Sequence, residues 1–256
     1  GPPPGDFCDG YGTGDGGPAT NASFCGVLSV AADRARHALF FADLDNSRVR
    51  QVNLTNGLIS NFAGVGIFGS GFSGDGGPAT SAHLSLPEGV ATDGAGKLAI
   101  ADLNNNRIRQ VDPVTGIITT IAGNGTAAST GDGGPATAAS LTLPSRVAAD
   151  GAGNVFVVDI AGQSSTFTIT NLVRRIDAVT GVITRVAGGG TNTPGNGPAT
   201  RMNLSPVNDL VVNDAGTLFI AGGNQVFRVE LASGQLSVVA GTGTNGFSGD
   251  GGPALS

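Results

Sequence analysis

The sequence predicts an all-β fold, a β-propeller of four-stranded antiparallel blades. Three observations carry that prediction. One phrase recurs at a near-constant interval, four strand-like runs follow each copy of it, and the connections between those runs are too short for parallel crossovers. The phrase Gly-Asp-Gly-Gly-Pro-Ala occupies residues 14–19, 74–79, 131–136 and 249–254, and a decayed copy, Gly-Asn-Gly-Pro-Ala, occupies 195–199. Its prolines fall at 18, 78, 135, 198 and 253, spacings of 60, 57, 63 and 55 residues. Self-similarity at such a period marks a repeat architecture in which each unit is one supersecondary element.

The second period shows the unit most cleanly. Its runs are Gly89–Asp93, Leu98–Asp102, Arg107–Asp112 and Ile117–Gly123, divided by the turns Gly94–Lys97, Leu103–Asn106 and Pro113–Gly116. Leu39–Asp43, Val155–Asp159 and Leu218–Gly222 repeat the second run. Arg48–Val52, Val173–Asp177 and Val226–Glu230 repeat the third. Short runs of β-branched and aromatic residues between Gly, Asn, Asp and Pro clusters read as strands. A parallel crossover needs a dozen or more residues, so these runs form meanders, and repeated meanders suit propeller blades packed around an axis. Four blades are placed at about 26–64, 88–123, 145–188 and 207–241. A Pro/Gly-rich lead-in fills 1–13, and 249–256 reads as the start of a further repeat or a closing tail. Apolar periodicity of 3.6 residues is missing beyond single turns, so helices are not expected.

Composition narrows the function. The chain has 256 residues with 44 glycines, and only 12% of its residues are charged, giving a formal net charge of −6. With no basic cluster to neutralise phosphates, nucleic acid is not an expected partner. No apolar run approaches the roughly 20 residues that span a bilayer, so no membrane insertion is expected. Cys8 and Cys25 read as a disulfide closing the N-terminal loop or as two free thiols; no other cysteine competes and no CxxC or Cys/His metal spacing exists. A disulfide implies an oxidising compartment. The sequons at Asn21, Asn53, Asn124 and Asn203 fall in expected loops and point the same way, although Ser205-Pro206 is unfavourable to Asn203.

The combination Gly-Val-Ala-x-Asp, Leu-Ala-Ile-Ala-Asp, Asn-Asn-Arg-Ile-Arg-Gln-Val-Asp, Gly-Ile-Ile-Thr-Thr-Ile-Ala-Gly and Gly-Asp-Gly-Gly-Pro-Ala-Thr resembles the NHL repeat over residues 14–256. The similarity is to the long form of secreted proteins and to teneurin-like propeller repeats. The resemblance implies a propeller, commonly of six blades. The four full blades here therefore either close alone or belong to a larger ring.

Two readings stand for the recurring Asp/Arg pairs, Asp43 with Arg48 and Asp102 with Arg107. One is a structural clasp bracketing the turn between the second and third strands; the other is a ring of carboxylates binding a cation at the pore. The clasp is favoured because an arginine stands beside each aspartate and the last blade carries Gly222 instead. That turn and the Gly-Asp-Gly-Gly-Pro loops are expected to crowd one rim. The glycine-rich loops lack the following helix and Lys of a phosphate cradle. Asp15, Asp75, Asp132 and Asp250 are single carboxylates, too few for calcium. Glu88 and Asp93 are expected to serve one hairpin. Leu84, Leu86, Leu141, Leu143 and Leu204 are expected to plug the gaps between blades. Phe167 and Ile169, in an extended turn of the third blade, read equally as a partner contact or a lengthened hairpin.

The functional expectation is a non-enzymatic extracellular or cell-surface module with no cofactor. It would contact another protein or a glycan, or copies of itself in an assembly such as a wall or flagellar fibre. The alternative is a metal-dependent propeller hydrolase or lyase with its site at the axis. The two histidines, His37 and His83, occupy unrelated repeat positions and give a Ser/His/Asp or Cys/His set no support.

Overall fold

A computed structural model describes residues 12–66, 71–163, 168–247 and 249–255. It is an all-β propeller of four sheets. Blade one contains β1 (Val27–Asp33), β2 (Ala38–Asp43), β3 (Arg48–Asn53) and β4 (Ile59–Ala63). Blade two contains β5 (Pro87–Thr92), β6 (Leu98–Asp102), β7 (Arg107–Val111) and β8 (Ile118–Ala122). Blade three contains β9 (Pro144–Ala149), β10 (Val155–Gln163), β11 (Thr168–Ile176) and β12 (Ile183–Gly188). In blade four the short β13 (Gly197–Pro198) precedes β14 (Val207–Val212), β15 (Thr217–Gly222), β16 (Gln225–Glu230) and β17 (Gln235–Ala240). Every pairing within the blades is antiparallel and, β13 with β17 apart, follows chain order. Each blade's first strand is innermost, and all four first strands line one channel of about 520 Å³.

Local chemistry sets the turns. Asp93 Oδ1 accepts the N–H groups of Ala95 and Lys97, and Asp150 and Asn213 do the same at the corresponding turns. Such Asx bonds replace the ladder bonds that the reversing chain gives up. Helical elements among the described residues are three-residue 3₁₀ turns, such as Ala79–Ser81 after Pro78.

The connectors do not crowd a rim. Each runs down the outer edge of the blade it leads into, where Pro18 bridges Leu58, Pro78 bridges Ile117 and Pro135 bridges Val182. In blade four this contact becomes β13, with Gly197 opposite Leu236. The connectors into blades two, three and four then turn back and pass between two blades to reach the next inner strand. The expected rim position fails because the connector's amides find partners on the outermost strand: Gly76 N–H donates to the Ile118 carbonyl and Ala79 N–H to the Gly116 carbonyl.

This return path explains two repeated sequence features. The first glycine of the phrase has φ of +87° at Gly74, and a Cβ there would stand 2.7 Å from Ala82 Cα, which couples that glycine to the alanine eight residues on. The glycine ending each fourth strand sits under the opposite turn. A Cβ on Gly123 (φ +88°) would meet the Asn106 carbonyl oxygen.

The core is the set of interblade seams. Leu84, Ala79 and Ala82 from one connector pack with Phe40, Ala42 and Val49 of blade one and with Leu98, Ile100 and Ile118 of blade two. Leu141 and Leu204 fill the next two seams and are buried. Leu86 and Leu143 do not join them. Both have positive φ, and Leu143 keeps 41% of its surface. Phe40, Phe156 and Phe227 are buried with them, whereas Phe219 is half-buried on the far face of blade four.

Leu84→Ala is expected to cost about 2–5 kcal/mol in urea unfolding, the range for emptying a buried leucine site. Gly123→Ala should destabilise more than Gly116→Ala, because both have positive φ but only the former would drive a Cβ into backbone.

Candidate functional site

The recurring charged residues come together between the blades. Arg50, Arg109 and Arg174 occupy one repeat position on the third strands, and each is fully buried. Arg109 is the most completely bound. Its Nε and Nη2 donate to Asp75 Oδ1 at 3.2 and 2.8 Å, and Nη2 also donates to the Ser73 carbonyl. Its Nη1 donates to the His83 carbonyl and to Asp102 Oδ2, at 3.3 and 3.4 Å. All five guanidinium N–H groups are thereby used. Arg50 pairs in the same way with Asp15 and Asp43, and Arg174 with Asp132 and Asp159.

The second-strand aspartates complete the assembly. Asp43, Asp102 and Asp159 accept the backbone N–H groups of Cys25, Ser85 and Thr142, at 2.7, 2.8 and 2.7 Å. These residues end the connector just ahead of each inner strand. Each arginine thus holds the descending limb of its connector through Asp15, Asp75 or Asp132. The buried carboxylates hold the returning limb.

The sequence-based pairing chose the wrong arginines. Strand register does set Asp43 opposite Arg48 and Asp102 opposite Arg107. The carboxylates nevertheless bond the arginine two residues further on, whose fully buried side chain lies between them and the connector aspartate. Arg48 reaches outward to Asp15 at 3.5 Å, and Arg107 donates to the carbonyls of Asn105 and Asn124. Arg107 also lies over the Phe72 ring, 3.6 Å from its centroid. Asp43, Asp102 and Asp159 have no exposed surface, so they do not face the pore as a cation ring.

Burial governs their protonation. Desolvation raises the Asp102 pKa to about 6 against the opposing pull of the Ser85 N–H, Asn105 and Arg109. Asp159 is raised by the same cause. Asp112 and Asp177, exposed turn caps, lie below the ordinary value because turn N–H groups bond their charged forms.

Other expected residues fall apart in space. Glu88 does not serve a hairpin with Asp93; it ion-pairs with Arg146 on the neighbouring inner strand, and Arg146 also donates to the Asn208 carbonyl. Three successive inner strands are tied by this pair. At the opposite mouth, Asp33, Asp93, Asp150 and Asn213 are turn caps, and Asp214 accepts the Gly151 N–H. Among the described residues no three His, Cys, Asp or Glu side chains gather to hold a metal, and no helix is long and apolar enough to cross a membrane.

Cys8 and Phe167 lie outside the described residues. The hairpin that bears Phe167 is extended, pairing Gly162 with Ile169 and Gln163 with Thr168. Asn21, Asn53, Asn124 and Asn203 are all exposed. Asn124 differs in that its Nδ2 donates to the Ala138 carbonyl and Ser140 Oγ.

Blade four departs from the pattern. Gly222 replaces the buried aspartate, Phe227 the arginine and Asn196 the connector aspartate. Where the other blades hold ions, a cleft of about 510 Å³ opens above the buried Phe227 ring. The joint loss of three charges was visible in the repeat alignment; the opening was not.

Comparison with known proteins supports an NHL-type propeller. No family model matches the chain. NHL repeat-containing protein 2 is 36% identical over 106 residues in Bos taurus and over 104 residues in Homo sapiens, covering 39% and 38% of this chain. The matched stretch is 14% of each relative's length. Among solved structures, the nidogen/laminin complex contains a chain similar over 84% of this one and 65% of its own length, with 14% identity and a TM-score of 0.58. A Bacteroides thetaiotaomicron protein of unknown function is similar over 83% and 47%, with 16% identity and a TM-score of 0.56. At these identities the structural likeness concerns the fold.

Arg109→Met should cost about 3–5 kcal/mol in chemical denaturation, since it leaves Asp102 buried without its cation. Arg109→Phe combined with Asp102→Gly, the pair blade four carries, should cost less than Arg109→Met alone. The pH dependence follows from the raised pKa. Unfolded aspartate titrates near 3.9, so between about pH 4 and pH 6 the folded Asp102 retains a proton the unfolded chain has lost. Its contribution to stability therefore falls as pH rises through that window. The slope of unfolding free energy against pH should be correspondingly less negative in Asp102→Asn than in the wild type.

Proposed function

We propose that the chain is a non-enzymatic extracellular propeller that makes protein–protein contacts. The observation behind this reading is the fate of the recurring ionisable residues. Those that the sequence offered as a cation-binding ring are buried and satisfied by the connectors and neighbouring strands, as Asp102 is with Arg109. A general acid or base must reach its substrate, and these groups have no path to one.

Secretion, a Cys8–Cys25 disulfide and glycans on exposed asparagines belong to the same reading. Cys25 is buried, and the exposed Asn21 and Asn53 present their side chains away from the seams. The blade architecture is one that also occurs in the nidogen/laminin complex, a protein assembly. The fit of NHL-type repeats to protein contacts rests on rigidity: interlocked seams hold surface loops in fixed positions, which lowers the entropy lost on association.

Expression of the intact protein in secreting eukaryotic cells tests the reading. Peptide mapping should recover a Cys8–Cys25 linked peptide and glycosylated Asn21 or Asn53, with Asn124 the least occupied. A surface cross-linked partner should bind the purified protein saturably, and hydrogen exchange should locate one contiguous protected patch. Turnover of lactone or ester substrates that depends on added divalent cation would overturn it in favour of the metal-dependent hydrolase.

A further inference from the structure

We propose that the cleft in blade four binds a neutral saccharide. The cleft exists because of coordinated differences from the other blades. Pro198 lies ten residues after Gly188, whereas Pro78 lies fourteen after Gly64 and Pro135 twelve after Gly123. The shorter connector borders the cleft with Thr191, Thr193 and Pro194. Gly222 and Gly223 remove side chains from the turn between β15 and β16, and that turn is reduced to Gly223 and Asn224. Gly222 is required where it stands, since a Cβ there would meet the Pro206 carbonyl oxygen.

What lines the opening selects the ligand. None of its residues is charged, in a chain of net charge −6. An anion finds no cation there, and a cation finds no carboxylate. Thr193, Asn203, Ser205, Gln225 and Thr244 supply hydroxyls and amides that both donate and accept. Vicinal sugar hydroxyls have the same dual character. Leu204 and Phe227, both buried, close the floor of the cleft with apolar packing. The Ser205 hydroxyl is already oriented, accepting the Asn171 N–H at 2.9 Å, and Asn203 Oδ1 accepts the Ser205 N–H, which leaves Nδ2 to donate. The volume lies within the range of small-molecule sites.

The inference is independent of the protein-contact reading. Because a glycan on Asn203 would overlie the rim, the test uses the full chain made in bacteria, labelled with ¹⁵N. It is titrated with the methyl glycosides of glucose, galactose, mannose and N-acetylglucosamine, and with methyl glucuronide and methyl glucosaminide as charged controls. At least one neutral glycoside should shift amides saturably within 191–205, 222–227 and 242–244, with Kd on the order of 1 mM. The charged analogues should bind at least tenfold more weakly. Gln225→Ala should weaken binding at least fivefold, as should Thr193→Val, an exposed position whose substitution leaves the fold intact. Absence of any saturable shift, shifts confined to other blades, or binding unchanged in Thr193→Val would overturn the proposal.

Discussion

The architecture depends on a guanidinium buried at one position of the third strand. Burying a charge is costly unless it is paired and its remaining donors are bonded. Arg109 meets that condition with two carboxylates and two carbonyls, and three of those four partners come from a single connector. That connector spans residues with little regular structure, and its polar backbone passes through the interior between two blades. A chain on such a path must satisfy every amide it buries. The arginine donates to one carbonyl on each limb, Asp102 accepts the Ser85 N–H, and together they fix where Ala79, Ala82 and Leu84 enter the seam. Electrostatics here positions the apolar residues, and the apolar residues supply the stabilisation.

A cost accompanies this arrangement. Asp102 has its pKa raised because its surroundings solvate the charge less well than water does. Blade four shows that the scaffold does not require the cluster. Phe227 and Gly222 stand in the corresponding places, and the seam beneath them still closes over Leu204, Ile220 and Val229. Replacing a buried ion pair by packed apolar groups is often neutral or stabilising. The difference lies in what occupies the repeat position, an Arg/Asp cluster in blades one to three and a cleft in blade four.

Sequence made most of the fold legible because most of it is local. The recurring phrase, the strand runs and the Asx turns are each written within a dozen residues. The pairing of charges was not, since Arg48 and Arg50 are two residues apart and point to the same face of their strand. Both reach Asp15 in a connector distant in sequence, and only Arg50 is buried deeply enough to bond Asp43 as well. Glu88 and Arg146 are 58 residues apart and meet only because inner strands are neighbours around the axis. The rim assignment of the connectors failed for a related reason: strand order fixes the end of the blade at which a connector starts, but not its subsequent course down the outer strand.

The blade-four cleft joins these two levels. Loss of Asp at Gly222, of Arg at Phe227 and of Asp at Asn196 reads position by position as decay of a repeat. Coupled residues do not decay independently, however. An arginine lost alone would strand a buried carboxylate, and an aspartate lost alone would strand the arginine. Their joint absence is what the energetics of a fully satisfied cluster demands. The same coupling makes the position useful, because once the whole cluster is gone the connector is released from its anchor and can shorten. The shortened connector borders a cleft lined by neutral hydroxyl and amide groups, and the seam below stays packed. Repeats that contact only their neighbours tolerate such a change in one unit while the others keep their geometry.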